Sequence, residues 1–398
     1  MVQPVYIVSY ARTPIGRFMG QLAPLSATDL GGAAAKAALE KVPQIPLGDI
    51  DEVIFGNVMS ANVGQAPARQ IAHKAGLPDS VPATTLNKVC ASGMKAAIVG
   101  AQSIICGSDI VLVGGAESMT NVPYYSPSTR SGARFGGTTL VDGLDDGLQD
   151  AYDKVAMGVF AEETAAEYKI TREQQDDFSI RSFKRAQAAY AEKKLEYEIA
   201  PITVPGRKPI TVTVDENLSR LDEEKLRAAR PAFSKDPSAT VTAPNSSALN
   251  DGAAALVLVS ERKLKELNLT PIAKIIGWGD AEQRPQRFTT APSLAVPKAI
   301  KHAGLTPSDI NFYELNEAFA VVGLANCQIL NLKPEQVNVY GGAVAIGHPL
   351  GCSGARIICT LATVLTNEGG KYGVAGVCNG GGGASAIVLE RITQSGRL

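Results

Sequence analysis

Two stretches of this chain read as copies of one another, and the duplication restricts its fold more than any other feature. In the first, Cys90 precedes a helix-like run, Ala91 to Ile105, followed by the buried-strand run Asp109-Ile110-Val111-Leu112-Val113 and by Gly114-Gly115. In the second, Gly351 to Gly354 precede the helix-like Ala355 to Thr366, followed by Tyr372-Gly373-Val374-Ala375-Gly376-Val377 and by Gly380 to Gly383. Continuous apolar strands alternating with small-residue helices describe an α/β sheet buried on both faces. A second echo lies upstream of each copy: Asp51 to Asn57 and Asn311 to Asn316 both place an Asn at the end of a short strand. The expectation is two similar α/β halves.

At 398 residues the chain exceeds a single compact core. Between the copies, the composition shifts to Tyr, Pro, Ser and a charged helix, Thr171 to Lys194, opened by the capping-box pattern Thr171-Arg172-Glu173-Gln174. This predicts an N-terminal half over 1–120, completed by about 250–270, an inserted loop domain over 121–249 and a C-terminal half over 271–398. An inserted lobe over the mouth of an α/β sheet shapes a substrate channel.

Thirty-eight basic residues against 39 acidic ones argue against nucleic acid or an anionic membrane as the main partner, while leaving room for a local patch that holds a small phosphate compound. Six cysteines without a Cys-x-x-Cys pair predict free thiols in a reducing compartment and no structural zinc. The sequence has no membrane-length apolar run and no leader pattern, so the expected location is cytoplasmic. The final Gly396-Arg397-Leu398 is a poor match to a peroxisomal tripeptide because Gly stands where Ser is usual.

Cys90 lies where an apolar approach gives way to a helix start, a setting expected to favour thiolate through the helix dipole and backbone N–H groups. His348, one of three histidines, precedes Pro349 on a glycine-rich loop from which an imidazole can reach a cleft. The other two have structural explanations, His73 within a helical run and His302 near a helix C-terminus. Cys378 follows a buried strand and precedes four glycines, whose backbone N–H groups can turn toward an oxyanion, that of Gly380 first among them. Asn316 offers an uncharged donor for an enolate, and Glu317 beside it reads as a first-turn helix carboxylate. Cys106, Cys327, Cys352 and Cys359 read as core thiols. No Gly-Lys-Ser/Thr follows the glycines, and Gly351-Cys352-Ser353-Gly354 is not a serine-hydrolase elbow. Two thiols and an imidazole supply a nucleophile, a base and an acid, the set needed for carbon–carbon bond chemistry on thioesters.

Four segments together resemble the signature set of the thiolases, in family order and across essentially the whole chain: Asn87-Lys88-Val89-Cys90-Ala91-Ser92-Gly93, Asn316-Glu317-Ala318-Phe319, Gly341 to Gly354 around Gly347-His348-Pro349, and Cys378-Asn379-Gly380-Gly381-Gly382. The chain is most similar to the short-chain biosynthetic branch, whose cytosolic eukaryotic members make acetoacetyl-CoA for mevalonate and sterol synthesis. The resemblance implies a five-layered α-β-α-β-α fold from two duplicated halves plus a loop domain. It also implies ping-pong chemistry: His348 activates Cys90, Cys90 takes an acetyl group from acetyl-CoA, and Cys378 removes an α-proton from a second acetyl-CoA. Asn316, through a water, and His348 would hold the enolate oxygen, and the N–H groups of Cys90 and Gly380 the tetrahedral one.

Carried over in the same way, Arg220 and Lys225 would lie near the coenzyme A nucleotide, Phe233 and Ser247 along its adenine and pantetheine, and Met157 and Phe288 would narrow the acyl pocket. No cofactor is implied beyond coenzyme A as substrate and product. Some relatives bind potassium through carbonyls that here fall at Ala243 and Val344, but Phe183 stands at their tyrosine position. The implied assembly is a homotetramer, a dimer of dimers, with Tyr124 to Thr139 as the dimer–dimer contact. The competing readings are a degradative long-chain 3-ketoacyl-CoA thiolase, a Cys–His acyl hydrolase that leaves Cys378 idle, and a non-catalytic acyl-CoA or lipid carrier.

Overall fold

The structure, a computed structural model, describes residues 3–393; the C-terminal tripeptide lies outside them. The principal strands are β1 (Val5–Arg12), β2 (Glu52–Gly56), β3 (Ala83–Leu86), β4 (Ile110–Ser118), β5 (Asn250–Ser260), β6 (Ala273–Glu282), β7 (Phe312–Leu315), β8 (Tyr372–Asn379) and β9 (Gly383–Arg391). They run side by side in the order β7-β8-β9-β6-β1-β5-β4-β2-β3. The helices that cover them are α1 (Ala27–Glu40), α2 (Pro67–Lys74), α3 (Ser92–Ile105), α4 (Met157–Glu167), α5 (Arg172–Ala191), α6 (Pro292–His302), α7 (Ala320–Ile329) and α8 (Leu350–Glu368).

The order folds back on itself. Reading outward from the centre, β1-β5-β4-β2 matches β6-β9-β8-β7, and each half mixes antiparallel pairs with a parallel pair at its outer side. The edge strand β3 has its counterpart in a parallel bridge between Tyr313 and Val337. The half-sheets meet through three β1–β6 residue pairs, Val5 with Ile275, Tyr6 with Lys274 and Ile7 with Ala273, which join them into one hydrogen-bonded path.

Alternation along the strands sorts the side chains into layers. Ile54, Val111, Val113, Leu256, Leu258, Ala375, Val377 and Ile387 point inward onto α3 and α8 and form the central core. Val53, Phe55, Leu112 and Val257 point the other way onto α1 and α2, and Val374, Ala386 and Val388 point onto α6. The stack is helix, sheet, helix pair, sheet, helix, which is the five-layered arrangement expected.

The central helix pair depends on glycine. A Cβ on Gly354 would lie 2.3 Å from the Met94 nitrogen, and one on Gly115 would lie 1.9 Å from the Gly351 carbonyl oxygen. The run Gly351 to Gly354, expected ahead of a helix, therefore forms the first turn of α8, because only there does the missing side chain let α8 close on α3 and β4. The segment between β4 and β5 holds α4, α5 and two short hairpins, and α5 opens on the expected capping box of Thr171 and Gln174. No helix among the described residues is long and apolar enough to cross a membrane.

Candidate active site

Cys90 sits two residues ahead of α3 in a turn that its neighbours hold shut. Val89 has φ of 49°, a left-handed conformation that is strained for a β-branched residue. The Asn87 Oδ1 accepts the Val89 N–H at 2.8 Å, while the Ser92 hydroxyl accepts the Lys88 N–H at 2.8 Å and donates to the Val89 carbonyl at 2.6 Å. Lys88 reaches across to the other half, with its Nζ 2.8 Å from Glu282 and 3.1 Å from the Asn379 Oδ1, next to Cys378. The Cys90 turn and the Cys378 turn are thus pinned together.

Cys90 opens onto the cleft, yet the surrounding protein pushes its thiol up to about 11, against the pull of the N–H groups of Gly380 and of Cys90 itself. This corrects the sequence-based expectation of a thiolate: desolvation outweighs the helix terminus. His348 is 5 % exposed, and burial, helped by the charge of Arg356, holds it down at about 3. The resting pair is a thiol and a neutral imidazole, the form in which a histidine can accept a proton.

The loop carrying His348 is fixed at both ends. The Asn250 Oδ1 at the start of β5 accepts the His348 N–H at 3.1 Å, and Pro349 caps α8. Ser353, one turn into α8, gives its hydroxyl proton to the Pro349 carbonyl at 2.9 Å, so its oxygen receives Nδ1–H of His348 at 2.6 Å. This network places the proton on Nδ1 and leaves Nε2 with its lone pair. The Asn316 Nδ2 lies 3.4 Å from each ring nitrogen, and the buried Asn316 Oδ1 has no partner among the described residues.

Cys378, near the end of β8, is 1 % exposed and packs with Phe160, Phe288, Ala318 and Val322. Burial and the neighbouring Cys90 push its thiol well above the usual range. After it the chain turns through Gly381 and Gly382, both with positive φ, into β9. A Cβ on Gly380 would rest against Val89 and Met157, which places the Gly380 backbone between the Cys90 turn and the start of α4.

A mostly apolar cleft of about 1100 Å³ collects the sequence-nominated residues. Its wall includes Cys90, His348 and Gly380, together with Arg220, Lys225, Phe233, Ser247, Met157, Phe288, Ala243 and Val344. Cys378 and Asn316 stand behind that wall, both almost fully buried. Arg220 and Lys225 are exposed at the rim, Lys225 paired with Asp222 at 2.8 Å. Gly158 leaves room for the Phe233 ring, whose edge-on contact with Phe319 spans 5.9 Å. Ser247 bonds the Ala318 carbonyl through both its N–H and its hydroxyl. Phe183, also on the wall, has no side-chain oxygen.

Glu317 is not a first-turn carboxylate: α7 begins at Ala320, and Glu317 is buried, accepting from Ser182, Asn338 and the Val344 N–H. It ties α5 to the segment before His348. Cys352 and Cys359 are core thiols as expected, but Cys106 is exposed at the end of α3 and Cys327 is half-buried. His73 and His302 stand away from the cleft, His302 packed edge-on against Trp278. Ser353, Asn250 and Lys88 were not singled out in the sequence. The Ser-Gly shared by Ser92-Gly93 and Ser353-Gly354 is the signal that could have found Ser353.

Comparison with known proteins agrees with this geometry. Residues 5–262 match the model of the thiolase N-terminal domain, and residues 269–391 that of the thiolase C-terminal domain. The chain is 63 % identical over 400 residues to acetyl-CoA acetyltransferase IA of Candida tropicalis, covering 99 % of each. It is 60 % identical to the acetyl-CoA acetyltransferase of Saccharomyces cerevisiae, over 98 % of this chain and 100 % of that one. The cytosolic acetyl-CoA acetyltransferase ERG10 of Gibberella zeae is 59 % identical over 98 % of each. Among solved structures, Acat5 thiolase from Ascaris suum in complex with coenzyme A superposes with a TM-score of 0.93 at 46 % identity, covering 98 % of this chain and all of that one. With the layered fold, the paired halves and the Cys–His cleft in agreement, the chain belongs to the thiolase family.

Proposed function

We propose that the protein is an acetyl-CoA C-acetyltransferase that condenses two acetyl-CoA into acetoacetyl-CoA and free CoA, reversibly. The observation that carries this reading is the meeting of Cys90, the Gly380 N–H and the singly oriented His348 at the end of one apolar cleft. His348 Nε2 takes the Cys90 proton as sulfur attacks the first thioester, so no charged pair need exist beforehand. The N–H groups of Gly380 and Cys90, already on the sulfur, stand beside the carbonyl oxygen as it becomes an oxyanion. Departure of CoA leaves acetyl-Cys90. His348, having returned the first proton to the departing CoA, takes the Cys378 proton, and the Cys378 thiolate then takes an α-proton from the second acetyl-CoA. The resulting carbanion attacks the acetyl carbonyl and expels the Cys90 sulfur, which regains a proton from His348. Asn316, with a water, and His348 hold the enolate oxygen.

The relatives' names and the coenzyme A in the Ascaris suum complex support coenzyme A as the carrier. Arg220 and Lys225 at the rim suit its phosphates, Phe233 and Ser247 its adenine and pantetheine, and Met157 and Phe288 close the acyl end. The segment 121–249 serves as the loop domain that shapes the channel. A potassium site at Ala243 and Val344 would lack the hydroxyl that Phe183 does not supply, so the donor set fits the ion poorly and no step is drawn through it. A cytoplasmic enzyme feeding mevalonate and sterol synthesis is the setting we assign, supported by the cytosolic relative. A tetramer joined through Tyr124 to Thr139 is supported by the exposed Tyr124 and Phe135.

The test is Cys378→Ala. It should still release CoA on acetylation of Cys90, while condensation falls by roughly 10²- to 10⁴-fold. Retained condensation would remove Cys378 from the mechanism and favour a Cys–His reaction.

A further inference from the structure

The two halves share the site unequally, and strand register locates the first half's counterpart of the base. Gly56 pairs with Gly115 as Leu315 pairs with Gly376, so Asn57 stands where Asn316 stands, and Glu117 on β4 stands where Cys378 stands on β8. The next strand agrees, with Glu117 opposite Gly252 and Cys378 opposite Ala384. Glu117 is fully buried and does not line the cleft. Its oxygens accept four N–H groups: Asn57 Nδ2 at 3.0 Å, Val58 at 3.1 Å, Met59 at 3.1 Å and Gly351 at 2.8 Å. Three come from the segment at and after the end of β2, and the fourth from the first turn of α8, three residues past His348. A buried charge this well received is a rigid joint.

We propose that Glu117 is a positioning residue whose ionised carboxylate locks the first turn of α8, and with it the His348–Pro349 segment, against the segment after β2, keeping the imidazole in place beside Cys90. The joint has little slack, since a Cβ on Gly351 would lie 2.9 Å from the Glu117 Oε2. Burial pushes Glu117 up to about 7 against the pull of the Met59, Gly351 and Val58 N–H groups, and Asp251 on β5 raises it further. The thiols of Cys90 and Cys352 face it from the nucleophile turn and α8, and its charge raises both. Protonation near neutrality discharges the acceptor and loosens the joint, so turnover falls with pH while substrate binding stays.

The inference rests on the acetyltransferase reading, and the experiment separates the two. In acetoacetyl-CoA thiolysis, the parent should show an acid limb in kcat with its midpoint near neutrality. Glu117→Gln should lower kcat roughly 10-fold or more, lose that limb and leave KM within about twofold. Asn57→Ala removes one donor to the charged form and should move the parent's limb up by about half a pH unit. A Glu117→Gln enzyme with parental kcat, or one keeping the limb, overturns the inference; if that variant does not fold, an unmoved limb in Asn57→Ala does so alone. No thiolysis in the parent overturns the acetyltransferase reading instead. The joint is then read from amide hydrogen exchange at Val58, Met59 and Gly351, which Glu117→Gln should accelerate about threefold or more by weakening their shared acceptor, equal rates contradicting it.

Discussion

Ser353 decides which nitrogen of His348 carries the proton, and it does so with a single hydroxyl already committed to the Pro349 carbonyl. Ser353→Ala removes the partner of Nδ1, so the imidazole can take either tautomer and rotate. We expect kcat to fall roughly 10-fold or more with KM nearly unchanged and the fold intact, a split that steady-state kinetics beside a thermal melt would read. At this scale the sequence was informative about type and silent about partners. Cys90, His348 and Cys378 stand out because a rare or reactive residue beside glycine or proline has few structural explanations. Glu117 and Glu317 do not stand out, because a carboxylate in a run of letters carries no mark of being buried, and it is burial with four or three donors that gives each its part. The thiolate expected at Cys90 was misjudged for the same reason: the helix start was visible, the desolvation was not.

The elements follow from periodicity where the pattern is local. The capping box of α5, the buried runs of β4 and β8, and the Asn at the ends of β2 and β7 all appear as the sequence implies. What periodicity misses is contact between distant elements. Glycine ahead of Ala355 reads as a helix breaker, yet Gly351 and Gly354 are helical because Gly115 and Met94, far away in sequence, come within a side chain's breadth. Gly354→Ala puts a methyl against the Met94 backbone and cannot be absorbed by a rotamer change. It should destabilise the protein by about 1–3 kcal/mol or more in a urea melt, through the α3–α8 contact rather than through helix propensity, which alone favours Ala. A neutral or stabilised variant would show that the central helix pair is looser than described.

For the whole molecule, duplication explains both the architecture and the location of the chemistry. Two copies of one α/β unit place the ends of β2, β4, β7 and β8 and the starts of α3 and α8 around one point, and residues from both copies meet there. That symmetry was legible from the repeated strand and helix pattern. The three-pair join of β1 to β6 was not, since an edge-to-edge pairing leaves no period in the sequence. The cleft wall was legible only through the family resemblance, which named Met157, Phe233 and Phe288 from three separate segments that no local period connects. Met157, Phe288 and Phe319 pack together at the cleft, with Phe288 3 % exposed and in edge-on contact with Phe319 at 6.4 Å, and on the proposed reading this bulk would narrow the acyl end to a short chain. The most direct measurement is therefore thiolysis, with free CoA as acceptor, of acetoacetyl-CoA beside an eight-carbon 3-ketoacyl-CoA, by the parent and by Cys90→Ala. A strong preference for the four-carbon substrate, abolished in the variant, is the expected result; comparable or faster turnover of the longer chain, or turnover that survives loss of Cys90, would contradict it.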